Sequence, residues 1–122
     1  MLGAVLALMF LPNFASADVT VAQLTLDYST TTLRAYAAQV ARDHDLDAAR
    51  FVAVINCESS FRWDAVGDAG TSLGIVQLRF PERDWRVSSS TALDPYRAIE
   101  VMADAWTKGL ENRWSCYALT RN

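Results

Sequence analysis

One carboxylate, Glu58, closes an apolar run that begins at Phe51 and continues Val-Ala-Val-Ile before Asn56 and Cys57. No polar stripe follows Arg50 up to Ile55, so a helix over this run is expected to be buried on most faces. A carboxylate in the last turn of such a helix loses water and meets the negative end of the helix dipole. Both effects disfavour the ionised form and raise the pKa. A general acid working near neutral pH needs that shift. Position alone equally allows a solvated residue at the helix end, or an ion-pair partner for Arg62.

The residues that follow favour the general acid. Glu58-Ser59-x-Phe61 leads to Ala65-Val66-Gly67-Asp68-x-Gly70-Thr71-Ser72-x-Gly74-Ile75-x-Gln77. This pattern resembles the signature of soluble lytic transglycosylases, the peptidoglycan-cleaving branch of the lysozyme-like fold. It is most similar to the small versions with a Gly-x-Ser-x-Gly loop, here Gly70 to Gly74. Cys57-Glu58-Ser59, with a second cysteine near the C-terminus, is also similar to resuscitation-promoting factors, which share the fold and the wall substrate.

The resemblance implies a mainly α lysozyme-like domain with a short β-ribbon near the active loop. It implies cleavage of the MurNAc–GlcNAc β-1,4 bond of the peptidoglycan glycan strand by one glutamate and no cofactor. Glu58 would protonate the leaving oxygen while the substrate's N-acetyl oxygen attacks the sugar carbon. It would then take the proton of the C6 hydroxyl as a 1,6-anhydro ring closes. Ser72 and Gln77 match positions that line the groove, with a helix cap and a backbone tie as their structural alternatives. Larger relatives carry an Ala-Tyr-Asn-Ala-Gly-like motif whose tyrosine orients the glutamate. That motif is absent here, and Tyr117 is the candidate stand-in.

Two rival readings remain open. Most glycosidases use two carboxylates, so a hydrolytic lysozyme would pair Glu58 with Asp64 or Asp68, residues otherwise read as turn formers. A wall-binding factor would keep the groove and lose the reaction. Among partners, transglycosylases of this kind open local gaps for a secretion or conjugation machine, and the chain is expected to act as a monomer.

Composition narrows the field further. The net charge of −3 and the absence of a basic run make nucleic acid an unpromising partner. One histidine, His44, and two distant cysteines offer no metal-ligand cluster. The first 17 residues hold no charged side chain, and Ala15-Ser16-Ala17 has the small-x-small form of a signal-peptidase site. Residues 1–17 therefore read as an export signal, although no Lys or Arg precedes the apolar run. Residues 18–122 are then one small domain, placed in the periplasm, or outside the cell or at the cell wall. In an exported chain Cys57 and Cys116 favour a disulfide. Closing so long a loop contributes about 4 kcal/mol in the chain-entropy model.

The elements that must position Glu58 follow from caps and periodicity. Ser29, or the threonines after it, caps a helix expected over Leu33 to His44. Asp45 or Asp47 caps the central helix, with Leu46 placed as a staple. Asp94-Pro95 opens a helix that Gly109 stops, with Ile99, Met102, Ala103, Trp106 and Leu110 as its buried stripe. Phe61 and Trp63 are expected to anchor the loop in the core. Trp85 is either a sugar platform or core, and Trp114 groove wall or core.

Overall fold

The computed structural model describes residues 26–80 and 87–121. Residues 1–17, expected to be an export signal, and Trp85 lie outside them. Five helices and a small sheet follow in order: α1 (Thr30–Asp43), α2 (Ala48–Ser59), β1 (Val66–Gly67), β2 (Ser72–Leu73), β3 (Leu78–Arg79), α3 (Ser89–Ala92), α4 (Pro95–Thr107) and α5 (Ser115–Leu119). The architecture is mainly helical, and the strands form one antiparallel ribbon in the order β1-β2-β3. Val66 pairs with Leu73, and Ser72 pairs with Arg79.

The three long helices begin where side chains satisfy backbone N–H groups. Asp47 accepts from the Arg50 N–H, and Asp94 accepts from Tyr96 and Arg97 with Pro95 in the first turn. Helix α1 starts three residues before the expected Leu33. Ser29 caps it through the Thr32 N–H at 3.3 Å, and the Thr32 hydroxyl donates to Asp27 at 2.6 Å. These bonds hold three threonines in a helix that their β-branching disfavours.

Helix α1 packs against both α2 and α4. Leu33, Ala37, Val40 and Ala41 meet Phe51, Val54 and Ile55 of α2 and the Ile99, Met102, Ala103 and Trp106 stripe of α4. Phe51 and Trp106 meet edge to face at 5.1 Å, a geometry that the ring quadrupoles favour. Leu110 is only half-buried. Two expectations need correction. Helix α2 buries one face rather than most, for Val52 and Ala53 are only partly covered and Asn56 is exposed. Trp63 is 38% exposed and leans on the Tyr28 ring, whereas Phe61 is fully in the core.

Candidate active site

Glu58 occupies the last turn of α2, and the chain leaves that turn by an abrupt route. Ser60 and Phe61 both take left-handed backbone angles, with φ of 54° and 61°. Each costs a residue with a Cβ about 1–2 kcal/mol. Burial of the Phe61 ring offsets that cost, and the Arg34 guanidinium covers the ring at 4.5 Å. Ser59, itself buried, donates its hydroxyl to the Ile75 carbonyl at 2.5 Å. That bond ties the end of the helix to the returning ribbon.

The ribbon is held close by two residues of the Gly-punctuated loop. Gly74 has a φ of 80°, and a Cβ there would overlap the Ala92 carbonyl of α3. Only glycine fits both demands. Gln77, also left-handed, donates its amide N–H groups to the carbonyls of Ala65 at 3.1 Å and Gly74 at 3.0 Å. A Cβ on Gly67 would clash with the Gln77 amide oxygen. Ser72 is buried in β2 and gives its hydroxyl proton to Asp68.

The opposite wall comes from the C-terminal end of the chain. Cys57 and Cys116 are bridged, with their Cα atoms 5.9 Å apart. The bridge brings the Cys116 N–H to Glu58 Oε1 at 3.3 Å. Trp114 is buried, and its indole N–H donates to the Val76 carbonyl at 2.8 Å. Its indole is thereby fixed as wall and core together.

Between these walls lies a cleft of about 350 Å³, lined by Glu58, Asp68, Ser72, Gln77, Arg79, Arg113, Trp114 and Ser115. Burial pushes the Glu58 carboxyl up from its ordinary value, and the Asp68 charge adds to the effect. The Cys116 N–H opposes them without reversing the shift. Asp68 moves the other way: the Ser72 hydroxyl holds it down, and Arg79, 3.6 Å away, helps. A half-buried carboxyl whose pKa is raised thus shares a cleft with a carboxylate whose pKa is lowered. Such opposed shifts separate an acid from a base or a charge stabiliser.

The structure gathers Glu58, Ser72, Gln77 and the Cys57–Cys116 bridge at this cleft. It also brings in Asp68, read from the sequence as a turn former and, for a hydrolase, as one of two candidate second carboxylates. Asp64 does not line the cleft. The polar hydrogens of Ser72 and Gln77 are committed to Asp68 and to backbone carbonyls, so both side chains build the wall and offer oxygen atoms to a ligand. Tyr117 faces elsewhere. Its ring lies 3.5 Å beneath the Arg50 guanidinium and 5.1 Å from Trp106, and it does not line the cleft. The physical reason is helical: successive residues of α5 point about 100° apart, so Cys116 facing Glu58 turns Tyr117 away.

Sequence reading missed Arg79 and Arg113, which flank the cleft from β3 and from the 3₁₀ turn Glu111–Arg113. Among the described residues there is no His, Cys, Asp and Glu cluster suited to a metal ion. No helix among them is long and apolar enough to cross a membrane. In comparisons with known proteins, the chain matches no family model, no curated protein and no solved structure.

Proposed function

We propose that this chain is an exported, lysozyme-like lytic transglycosylase that cleaves the glycan strand of peptidoglycan, with Glu58 as its acid and base. The observation that carries the reading is the state of Glu58. It is a half-buried carboxyl with a raised pKa, oriented by a backbone N–H inside a polar cleft. Its sequence context, Glu58 to Gln77, resembles the transglycosylase signature. Neutral Glu58 would protonate the glycosidic oxygen as that bond breaks, while the substrate's acetamido oxygen closes on the anomeric carbon. The resulting carboxylate would then take the C6 hydroxyl proton, and that oxygen would displace the acetamido group to form the anhydro ring. No water enters, and Glu58 ends as it began. The disulfide fits an oxidising compartment.

A second reading, hydrolysis, is favoured by one observation: Asp68 lines the same cleft, and its pKa is lowered. Asp68 would then activate a water for attack on the sugar carbon.

Mass spectrometry of products from intact peptidoglycan separates the two. Transglycosylation yields fragments ending in 1,6-anhydro-N-acetylmuramic acid, and hydrolysis yields reducing ends that borohydride converts. Glu58→Gln is expected to lower either activity by about 10²–10⁴-fold, the usual worth of a general acid. Asp68→Asn leaves anhydro products forming under the first reading and abolishes release under the second. Binding to the polymer with no release by the unaltered chain would instead mark a wall-binding module.

A further inference from the structure

A second pocket, of about 220 Å³, shares no lining residue with the cleft. It lies where the loop before α2, the last turn of α4 and helix α5 meet. Arg50, Trp106 and Glu111 line it, with Asp45, Asp47 and Tyr117 beside them. The first three have one property in common. Each holds a buried polar atom without a hydrogen-bond partner: the Arg50 Nε–H, the Trp106 indole N–H and Glu111 Oε2. Among the described residues these are the buried side-chain polar atoms left in that state, and one pocket gathers all of them. Trp106 is only 8% exposed, so bulk solvent does not serve its N–H. Folded chains keep few such groups, because an unpaired buried donor or acceptor is costly.

The two donors are held in place by their other contacts. Arg50 Nη2 donates to the Tyr117 carbonyl at 2.9 Å, and the guanidinium covers the Tyr117 ring. The Trp106 ring meets Phe51 and Tyr117 edge to face, each at 5.1 Å. The charges and the donors together select a ligand. A carboxylate or a phosphate could accept from both N–H groups, but it would meet Asp45, Asp47 and Glu111 against the one charge of Arg50. An ammonium suits the carboxylates and has nothing to offer the two donors. A neutral amide carries both halves, a carbonyl oxygen that accepts twice and an N–H that donates.

We propose that this pocket binds a neutral amide, whose carbonyl oxygen accepts from Arg50 and Trp106 and whose N–H donates to Glu111. Glu111 is half-buried on the 3₁₀ turn Glu111–Arg113, and a swing of its side chain admits the ligand to both N–H groups. The site stands apart from the cleft, so the inference holds whether or not Glu58 cleaves glycan. Two sources share the chemistry. One is the acetamido group of an N-acetyl sugar, and the other is the primary carboxamide of a glutamine side chain.

The Trp106 indole N–H is a reporter on the spot. The chain has four tryptophans, and Trp106→Phe identifies its indole signal in a proton–nitrogen NMR spectrum by removing it. Titration with acetamide is expected to move that signal to saturation and to slow the exchange of its proton with water, while the Trp63 signal stays in place. Acetate and methylammonium at the same concentrations are expected to leave it unmoved. Glu111→Ala takes away the acceptor and is expected to weaken acetamide binding by about tenfold. Glu111→Gln keeps an acceptor oxygen and is expected to retain most of the affinity, and thermal melting of both variants checks that each is folded. N-acetylglucosamine and glutamine then separate the sources. Saturation by the sugar alone assigns the acetamido group, and saturation by glutamine alone assigns the primary carboxamide.

A shift by acetate equal to that by acetamide, or no saturating shift with any amide, overturns the proposal. So does an indole proton of the free chain that exchanges with water as fast as that of Trp63, since water would then already serve the donor. Loss of affinity in Glu111→Gln as large as in Glu111→Ala also counts against it, because the acceptor oxygen would then play no part.

Discussion

The helical scaffold and the ribbon beside the cleft are built by opposite rules. Helices α1, α2 and α4 start at side-chain caps and contain no residue with positive φ. Of the nine described residues with positive φ, seven fall between Ser60 and Gln77: Ser60, Phe61, Asp68, Ala69, Gly70, Gly74 and Gln77. Five of those seven are not glycine, so the backbone there stands against its local preference. The scaffold follows propensity and supplies stability. The ribbon spends some of it to put Asp68, Ser72 and Gln77 around Glu58, as strained segments at functional sites commonly do.

The disulfide joins the two regions, and removing it is the strongest way to break the comparison. Cys57→Ala with Cys116→Ala is expected to lower the unfolding free energy by about 4 kcal/mol, read by denaturant titration. Cleavage measured well below the melting point should fall too, because the wall that carries the Cys116 N–H is no longer held against Glu58. A scaffold that depends only on its helices would lose neither. An unchanged midpoint and unchanged activity would show that the bridge is incidental to both regions.

A smaller effect tests whether Glu58 is itself a cost to the fold. Its folded pKa lies above the ordinary 4.5, so the folded chain binds more protons than the unfolded one between those two values. Stability contributed by this group is therefore full below about pH 4.5 and is lost as pH rises through the folded pKa. Glu58→Gln removes that loss, since its amide oxygen still accepts the Cys116 N–H. The variant is expected to match the parent in acid and to melt higher at neutral pH, while its cleavage falls by the factor given above. Equal melting curves at both pH values would mean that the carboxyl is well solvated and is no poised acid.

The same contrast sets what the sequence discloses. Caps and periodicity are local, so Asp47, Asp94-Pro95, Gly109 and the Ile99-to-Trp106 stripe could be read directly and stand in the structure as helix starts, a stop and a core face. Glu58 was legible because its helix is local and its position in the last turn decides its solvation. Arg79 and Arg113 were not, since each lies in a short polar stretch that means nothing until the ribbon and the C-terminal turn come together. Asp68 was legible only as one of a pair with Asp64, because a Gly-Asp-x-Gly stretch signals a turn whether or not its carboxylate is used. Tyr117 was read as a neighbour of Glu58 because it adjoins Cys116, but on helix α5, which the sequence did not disclose, the residue after Cys116 points away.

One substitution made in both regions sharpens the comparison at the smallest scale. Ala35 is exposed in the middle of α1, and Ala69 is exposed in the loop between β1 and β2 with φ 57° and ψ 34°. Glycine costs about 1 kcal/mol at Ala35, because it adds backbone freedom to the unfolded chain and returns nothing to the helix. At Ala69 it pays the same entropy but relieves a left-handed alanine, a relief of about 1–2 kcal/mol. Ala35→Gly is therefore expected to lower the melting temperature and Ala69→Gly to hold or raise it, each by a few degrees at most. Both side chains are single methyl groups at the surface, so packing does not confuse the sign. If both variants lose stability equally, the ribbon carries no stored strain, and its shape must come from the Gln77 and Ser59 hydrogen bonds alone. If the signs differ while cleavage by Ala69→Gly falls, the left-handed turn is held at a cost in order to aim Asp68 into the cleft.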